Sequence, residues 1–394
     1  MALRLGISNC WRIARGQAFR SIPRLSLIRV AGCSSETHSD DDEILHLPFK
    51  DKKLFTPGPL CTSFETKKAM MRDVGSRDKD FVKSVNYIRS KLLEIAGVSP
   101  NEYTTIPLQG SGTYSVESVI TTATPKTGGK LLLIVNGAYG KRMQKICEVA
   151  DIETIVLEGE ENSKADLKAV EKTLQENPDL TGVCIVHCET STGVIHPVES
   201  VGKLIQKHAP NAYFFVDAMS SFGAIPLNLE SSNITYLGQS RTLSLDIVDQ
   251  YENLEKTGQF RFTPATHTML AFRKALEQLE AEGGVVGRAE RYLENRHILQ
   301  DGMKKLGFKE FLDDTHEGYI ITSFYFPKHP NFDFMDFYKR LSDKDQVIYP
   351  GKVSKAECFR IGNIGYLFPK DLEHLLECIG EVLEDMNIPT PLES

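Results

Sequence analysis

Between residues 104 and 217 the chain alternates short apolar runs with stretches of helix length, and this alternation narrows its possible folds more than any other feature. The runs at 104–108, 130–135, 153–157, 182–186 and 213–216 are rich in Leu, Val, Ile and Phe and read as strands. Those at 131–135 and 182–186 are not broken by a polar residue at every second position, the pattern of strands covered on both faces. The spacing between them predicts helices over 115–122, 140–150, 163–175 and 197–208. Strand–helix alternation of this kind implies an α/β fold built on a mainly parallel, helix-covered sheet.

The texture changes near residue 268. Long amphipathic segments at 269–283 and 286–306 read as helices, followed by a hairpin-like region formed from 319–326 and 345–348 and a last helix over 371–386. A smaller α+β domain is therefore expected at 268–394, after a large domain at 54–267. The length of 394 residues agrees, being more than one hydrophobic core normally serves. The folded chain is expected to start near Leu54, where Thr56-Pro57-Gly58-Pro59 makes an extended, turn-rich entry. Residues 36–53 read as a polar linker.

Composition removes several classes. Charged residues make up 25% and hydrophobic residues 41%, as in globular chains. The longest clean apolar run, Leu131 to Val135, is far too short to cross a bilayer, so no membrane partner is expected. The net charge of −7 argues against nucleic acid, which needs a concentrated basic field. Eight cysteines are scattered from Cys10 to Cys378 without a C-x-x-C pair and read as reduced thiols. Cys184, His187 and Cys188 resemble a metal set, but the preceding strand points alternate residues to opposite faces, so no metal is expected.

Residues 1–35 are different again: arginines at 4, 12, 15, 20, 24 and 29, five serines, no lysine and no acid. Arginines interrupt every apolar patch there, which fits a mitochondrial matrix address better than a secretory signal. Without those six arginines, 40 bases stand against 53 acids, leaving a distinctly acidic body at −13.

Four motifs carry candidate chemistry. Gln109-Gly110-Ser111-Gly112-Thr113 joins a strand to a helix start, where small residues and unpaired N–H groups suit either a phosphate or an ordinary tight turn. Asp217 ends a very apolar strand, where open α/β sheets bind ligands; it is either a partner for a cationic ring nitrogen or a cap for the following turn. Tyr139, in Asn136-Gly137-Ala138-Tyr139-Gly140, offers a ring that could stack on a flat cofactor or simply pack. Arg360, in Phe359-Arg360-Ile361-Gly362-Asn363, suits a bidentate carboxylate contact or a structural ion pair.

Read in order with His187-Cys188-Glu189-Thr190, Val216-Asp217-Ala218-Met219-Ser220-Ser221 and Arg241-Thr242-Leu243-Ser244-Leu245-Asp246, these motifs make the chain from Leu54 to about Met386 resemble the class V branch of the fold-type I, pyridoxal-phosphate-dependent aminotransferases. The resemblance implies a large cofactor-binding domain and ping-pong transfer of an amino group from 2-aminoethylphosphonate to pyruvate, giving phosphonoacetaldehyde and alanine. It implies a homodimer in which Gly110, Ser111, Gly112 and Thr113 hold the phosphate of pyridoxal 5′-phosphate, with Thr263 reaching in from the partner subunit. Tyr139 would stack on the ring, Thr190 would touch its 3′-oxygen, Asp217 would keep the ring nitrogen protonated and act in catalysis, and Arg360 would bind the substrate carboxylate. Lys352 is a candidate cation for the phosphonate. Alanine–glyoxylate or serine–pyruvate specificity on the same scaffold is the alternative within the family.

One family element is missing. The lysine that carries the cofactor covalently follows the Asp217 segment by a few tens of residues in the family, between two strands. Here the first lysine after Asp217 is Lys256, 39 positions on, in a stretch that reads as a helix end. The block with the lysine and its two strands is expected to be absent as a unit. The further alternative is therefore a non-catalytic isoform that pairs with intact subunits.

Overall fold

The computed structural model describes residues 50–227, 240–313, 318–349 and 356–392. The expectations for residues 1–35, the segment 228–239 and Lys352 lie outside these. Residues 51–394 group as one compact unit. In chain order it comprises β1 (Lys53–Phe55), α1 (Phe64–Lys68), α2 (Lys79–Ala96), α3 (Gly112–Ala123), β2 (Lys130–Val135), α4 (Ala138–Val149), β3 (Glu153–Glu158), α5 (Leu167–Glu176), β4 (Gly182–Val186), β5 (Cys188–Glu189), β6 (Val194–Ile195), α6 (Val198–His208) and β7 (Tyr213–Asp217). The C-terminal half adds α7 (Ile247–Thr257), α8 (Thr266–Ala281), α9 (Gly284–Lys305), β8 (Ile321–Tyr325), α10 (Phe334–Asp343), β9 (Gln346–Ile348), β10 (Cys358–Gly362) and α11 (Pro369–Asp385).

The main sheet is parallel throughout, in the order β3-β2-β4-β7. Its strands are apolar on both faces because both faces are covered. Leu132, Ile134, Val183, Ile185 and Phe214 pack with α5 and α6 residues such as Val170 and Val201 on one side. Leu131, Leu133, Val135, Cys184 and Tyr213 pack with α3 and α4 residues such as Ile120 and Met143 on the other. Burying each such side chain contributes about 1.5–3 kcal/mol. Cys184 and Ile185 thus face opposite ways, and the expected thiols are found: Cys147, Cys184, Cys188, Cys358 and Cys378 are free and buried. Burial pushes the Cys188 thiol up to about 12.

Two strand expectations need correction. Residues 104–108 form no strand; Pro107 lacks an N–H, and the segment is held on α2 instead, where Arg89 Nε donates to the Thr105 carbonyl at 2.8 Å and Thr105 Oγ1 to the Arg89 carbonyl at 2.7 Å. Nor do 319–326 and 345–348 pair with each other. β8 pairs antiparallel with β10, the strand that carries Arg360, while β9 pairs in parallel with β1. No element was assigned to the stretch around Arg360 from the sequence, which left β8 without its true partner. The expected boundary at 267/268 falls within α8.

The C-terminal layer has an aromatic core. Phe308, Phe324, Phe337 and Phe359 stack edge-on or tilted among α9, α10 and α11, and Phe55 from β1 is fully buried with them. No helix among the described residues is long and apolar enough to cross a membrane.

Candidate active site

At the carboxyl ends of β2 and β7 lies a cavity of about 220 Å3, lined by Ser111, Gly112 and Thr113 on one side and by Tyr139, Arg142 and Asp217 on the other. An extended segment without strand pairing, a glycine-rich turn and the start of α3 build the first wall. Gly110 has φ +123, which favours glycine, and Ser111 is the N-cap of α3 without a side-chain cap bond. Tyr114 N donates to the Ser111 carbonyl at 2.9 Å, which leaves the N–H groups of Gly112 and Thr113 for a ligand, and the helix dipole favours an anion there. A Cβ on Gly112 would lie 2.4 Å from Met219 Cε, so the turn is packed against the segment that follows β7.

Asp217 ends β7, opposite Val186 of β4, and its backbone carbonyl accepts from His187 N at 2.8 Å. Its Oδ1 accepts from Met219 N at 3.0 Å, as an Asx-type turn would have it. Burial raises its pKa; the Met219 amide and the nearby Arg142 charge oppose that rise. A half-buried carboxylate, held among the described residues by one amide, has room for a cationic donor.

Tyr139 stands in the first turn of α4, and its N–H donates to Glu189 Oε2 at 3.2 Å. Glu189 is 1% exposed, also accepts from Ser191 Oγ at 2.7 Å, and has its pKa raised by burial. Arg142 lies one turn beyond Tyr139, its Cζ 4.9 Å from the ring centroid, and its Nη1 donates to Thr113 Oγ1 at 3.1 Å. Neither Glu189 nor Arg142 was singled out from the sequence. Arg142 was legible, because i and i+3 share a helix face; Glu189 was signalled only by an acid inside an apolar stretch.

The structure brings Ser111, Gly112, Thr113, Tyr139 and Asp217 around one cavity, with Gly110 at its edge. Thr190 and Arg360 are not on its wall. Arg360 is 5% exposed, donates through Nη1 to the Thr190 carbonyl, and stacks its Cζ 4.6 Å from the Tyr349 ring. It has no ion pair among the described residues, and its buried Nε has no hydrogen-bond partner. Burial lowers its pKa, against the pull of Tyr349, Tyr139 and Glu189. A buried guanidinium without a carboxylate suits an incoming one. Thr263 is not on the wall of this chain's cavity; its carbonyl accepts from Gln109 Nε2 at 2.8 Å, beside Gly110.

The donor set fits a phosphorylated, cationic aromatic ring: amides and hydroxyls at one end, a half-buried carboxylate at the other, an aromatic side chain between. No lysine lines this cavity among the described residues, and Lys256 stands in the last turn of α7. No cluster able to hold a metal is found among the described residues; His187 Nδ1 instead lies 2.9 Å from Ser221 Oγ.

Comparison with known proteins gives a consistent answer. The sequence model of class-V aminotransferases matches residues 62–240. The 2-aminoethylphosphonate–pyruvate transaminase of Pseudomonas aeruginosa is 39% identical over 85% of this chain and 97% of its own length. Those of Phocaeicola vulgatus and Bacteroides fragilis are 41% and 43% identical, over 84% and 83% of this chain and 98% of their own. In structure the chain is similar to ureidoglycine–glyoxylate aminotransferase from Bacillus subtilis, with TM-score 0.78 and 21% identity over 87% of this chain and 96% of that one. It is also similar to alanine–glyoxylate aminotransferase from Nostoc sp., with TM-score 0.76 and 20% identity over 88% and 100%. These relatives overturn the expected mitochondrial address: they are bacterial enzymes, from cells without that compartment.

Proposed function

Since the chain belongs to the class V aminotransferases, we propose that it acts in moving the amino group of 2-aminoethylphosphonate to pyruvate, giving phosphonoacetaldehyde and alanine, with pyridoxal 5′-phosphate as cofactor. The observation that carries the reading is the agreement at 39–43% identity with transaminases of that name, over almost their whole length.

When bound, pyridoxal phosphate supplies an electron sink for the amino-bearing carbon of the substrate. The chain's own residues do the rest. The amides and hydroxyls of Ser111, Gly112 and Thr113 hold the phosphate at the start of α3. Asp217, half-buried at the end of β7, would keep a proton on the ring nitrogen. Tyr139 would cover one ring face, and Thr190 would meet the 3′-oxygen. Arg360 receives the carboxylate of pyruvate or alanine, which supplies the anion that its buried guanidinium lacks. In a homodimer Thr263, on the segment that packs beside Gln109, serves the neighbouring subunit's phosphate turn.

The general acid–base group that a lysine would provide at the substrate carbon is absent between Asp217 and Lys256. This chain is therefore expected to bind its cofactor reversibly and to turn over far more slowly than an intact relative. The test is purified chain with pyridoxal phosphate, pyruvate and either 2-aminoethylphosphonate, alanine with glyoxylate, or serine. The expected result is cofactor lost on dialysis and no sustained alanine formation. Trace turnover above a protein-free control should prefer 2-aminoethylphosphonate; a preference for serine or for the alanine–glyoxylate pair would overturn the donor assignment. Sustained turnover abolished by Lys256→Ala would show that another lysine has taken the missing role.

A further inference from the structure

We propose that Arg142 is a positioning residue of this site, tying the phosphate-binding turn at the start of α3 to the stacking ring of Tyr139 so that the two hold one register beside Asp217. Its guanidinium donates to Thr113 Oγ1 at 3.1 Å while lying 4.9 Å from the Tyr139 ring centroid, so one side chain bridges two helices at the cavity wall. It is also shared with a second, larger cavity of about 580 Å3 walled by Lys126, Lys145 and Arg241, and so separates the site from a basic recess. The planar fork of arginine can donate in its plane and stack on its face at the same time; the ammonium of lysine supplies the charge without that geometry. Arg142 is, besides, the charged group whose field acts on the Asp217 carboxylate, the other stabilising contact there being the Met219 amide. The inference rests on the reading of this cavity as the cofactor site.

The experiment compares the full chain with Arg142→Lys and Arg142→Gln. In cofactor-free protein, NMR follows the Tyr139 ring, the Thr113 amide and the labelled Asp217 carboxyl, assigned with Asp217→Asn; equilibrium dialysis then measures pyridoxal phosphate. Both variants are expected to move the Tyr139 and Thr113 signals and to weaken pyridoxal phosphate about tenfold, the loss of one stacked, hydrogen-bonded cation. The Asp217 titration should rise in Arg142→Gln alone, because lysine keeps the charge. Unmoved Tyr139 and Thr113 signals in both variants would overturn the proposal whether or not the cofactor binds, as would full affinity in Arg142→Lys. Failure of the unaltered chain to bind pyridoxal phosphate at all would instead sink the cofactor-site reading, with the cofactor-free signals still deciding on Arg142.

Discussion

Gly137→Ala is a sharp test of how the stacking ring is held. Gly137 is the N-cap of α4 with φ −178, an extended backbone that any residue adopts, so the objection to a side chain is purely one of space. A Cβ there would sit 2.4 Å from both Cγ and Cδ of Glu189, and real Cβ contacts essentially never fall below 3.0 Å. Glu189 must swing away, and it is fully enclosed. Its carboxylate would give up the bonds from Ser191 Oγ at 2.7 Å and Tyr139 N at 3.2 Å. Two hydrogen bonds to a charged acceptor contribute about 1.5–3 kcal/mol each, so about 3–6 kcal/mol is at stake. The loss of glycine's freedom in the unfolded chain returns up to about 1 kcal/mol. The net cost is about 2–5 kcal/mol, a Tm lowered by roughly 4–10 °C at about 2 °C per kcal/mol for a chain of this size. Thermal denaturation of Gly137→Ala, Glu189→Ala and the double variant at one scan rate measures it. The double variant should be no less stable than Glu189→Ala alone, because removing the carboxylate removes the clash. Strictly additive losses, or a Gly137→Ala protein as stable as the parent, would refute the reasoning.

Asp217→Asn should weaken cofactor retention while stabilising the cofactor-free chain near neutral pH. Burial raises the folded pKa of Asp217 above the ~3.9 of an exposed aspartate, so its stabilising contribution is present below about pH 4 and lost as pH rises through the folded value. Urea midpoints against pH should fall less steeply in the variant over that window. Arg360→Met should leave the substrate-free chain as stable as the parent or more so, because it removes a buried cation without an ion pair, yet lower the affinity for pyruvate about tenfold or more; calorimetric titration and urea unfolding separate the two effects. Leu133→Ala, at 1% exposure in β2, should cost about 2–5 kcal/mol in urea unfolding.

The sheet and its helices were legible because burial on both faces leaves unbroken apolar runs, which is why β2, β3, β4 and β7 appeared in the sequence within about a residue of their observed ends. The candidate pocket was legible for a related reason: a glycine pair at a helix start and an acid at a strand end have few structural uses. What the sequence hid is non-local. Nothing in Gln346-Val347-Ile348 says that its partner is β1, and nothing in Glu189 says that its carboxylate will meet the Tyr139 amide, since such pairings depend on which segments fold close together. Residues 104–108 misled because an apolar, β-branched run can pack against a helix as well as in a sheet once a proline removes a ladder donor.

The parallel pairing of β1 with β9 joins Lys53 to Gln346, positions separated by most of the chain. During synthesis, the first strand of the folded unit must therefore wait for its hydrogen-bonding partner until nearly the whole polypeptide has left the ribosome. Phe55 has no aromatic core to enter until then, because Phe308, Phe324, Phe337 and Phe359 all emerge later. An early product of translation would carry an unsatisfied strand and an exposed apolar side chain. A fragment beginning at residue 268 would suffer the opposite defect, holding β9 with an open edge and a hole where Phe55 belongs. The C-terminal layer is thus not a detachable part, and dissecting this protein at the texture change in its sequence would produce two pieces that each lack something the other carries.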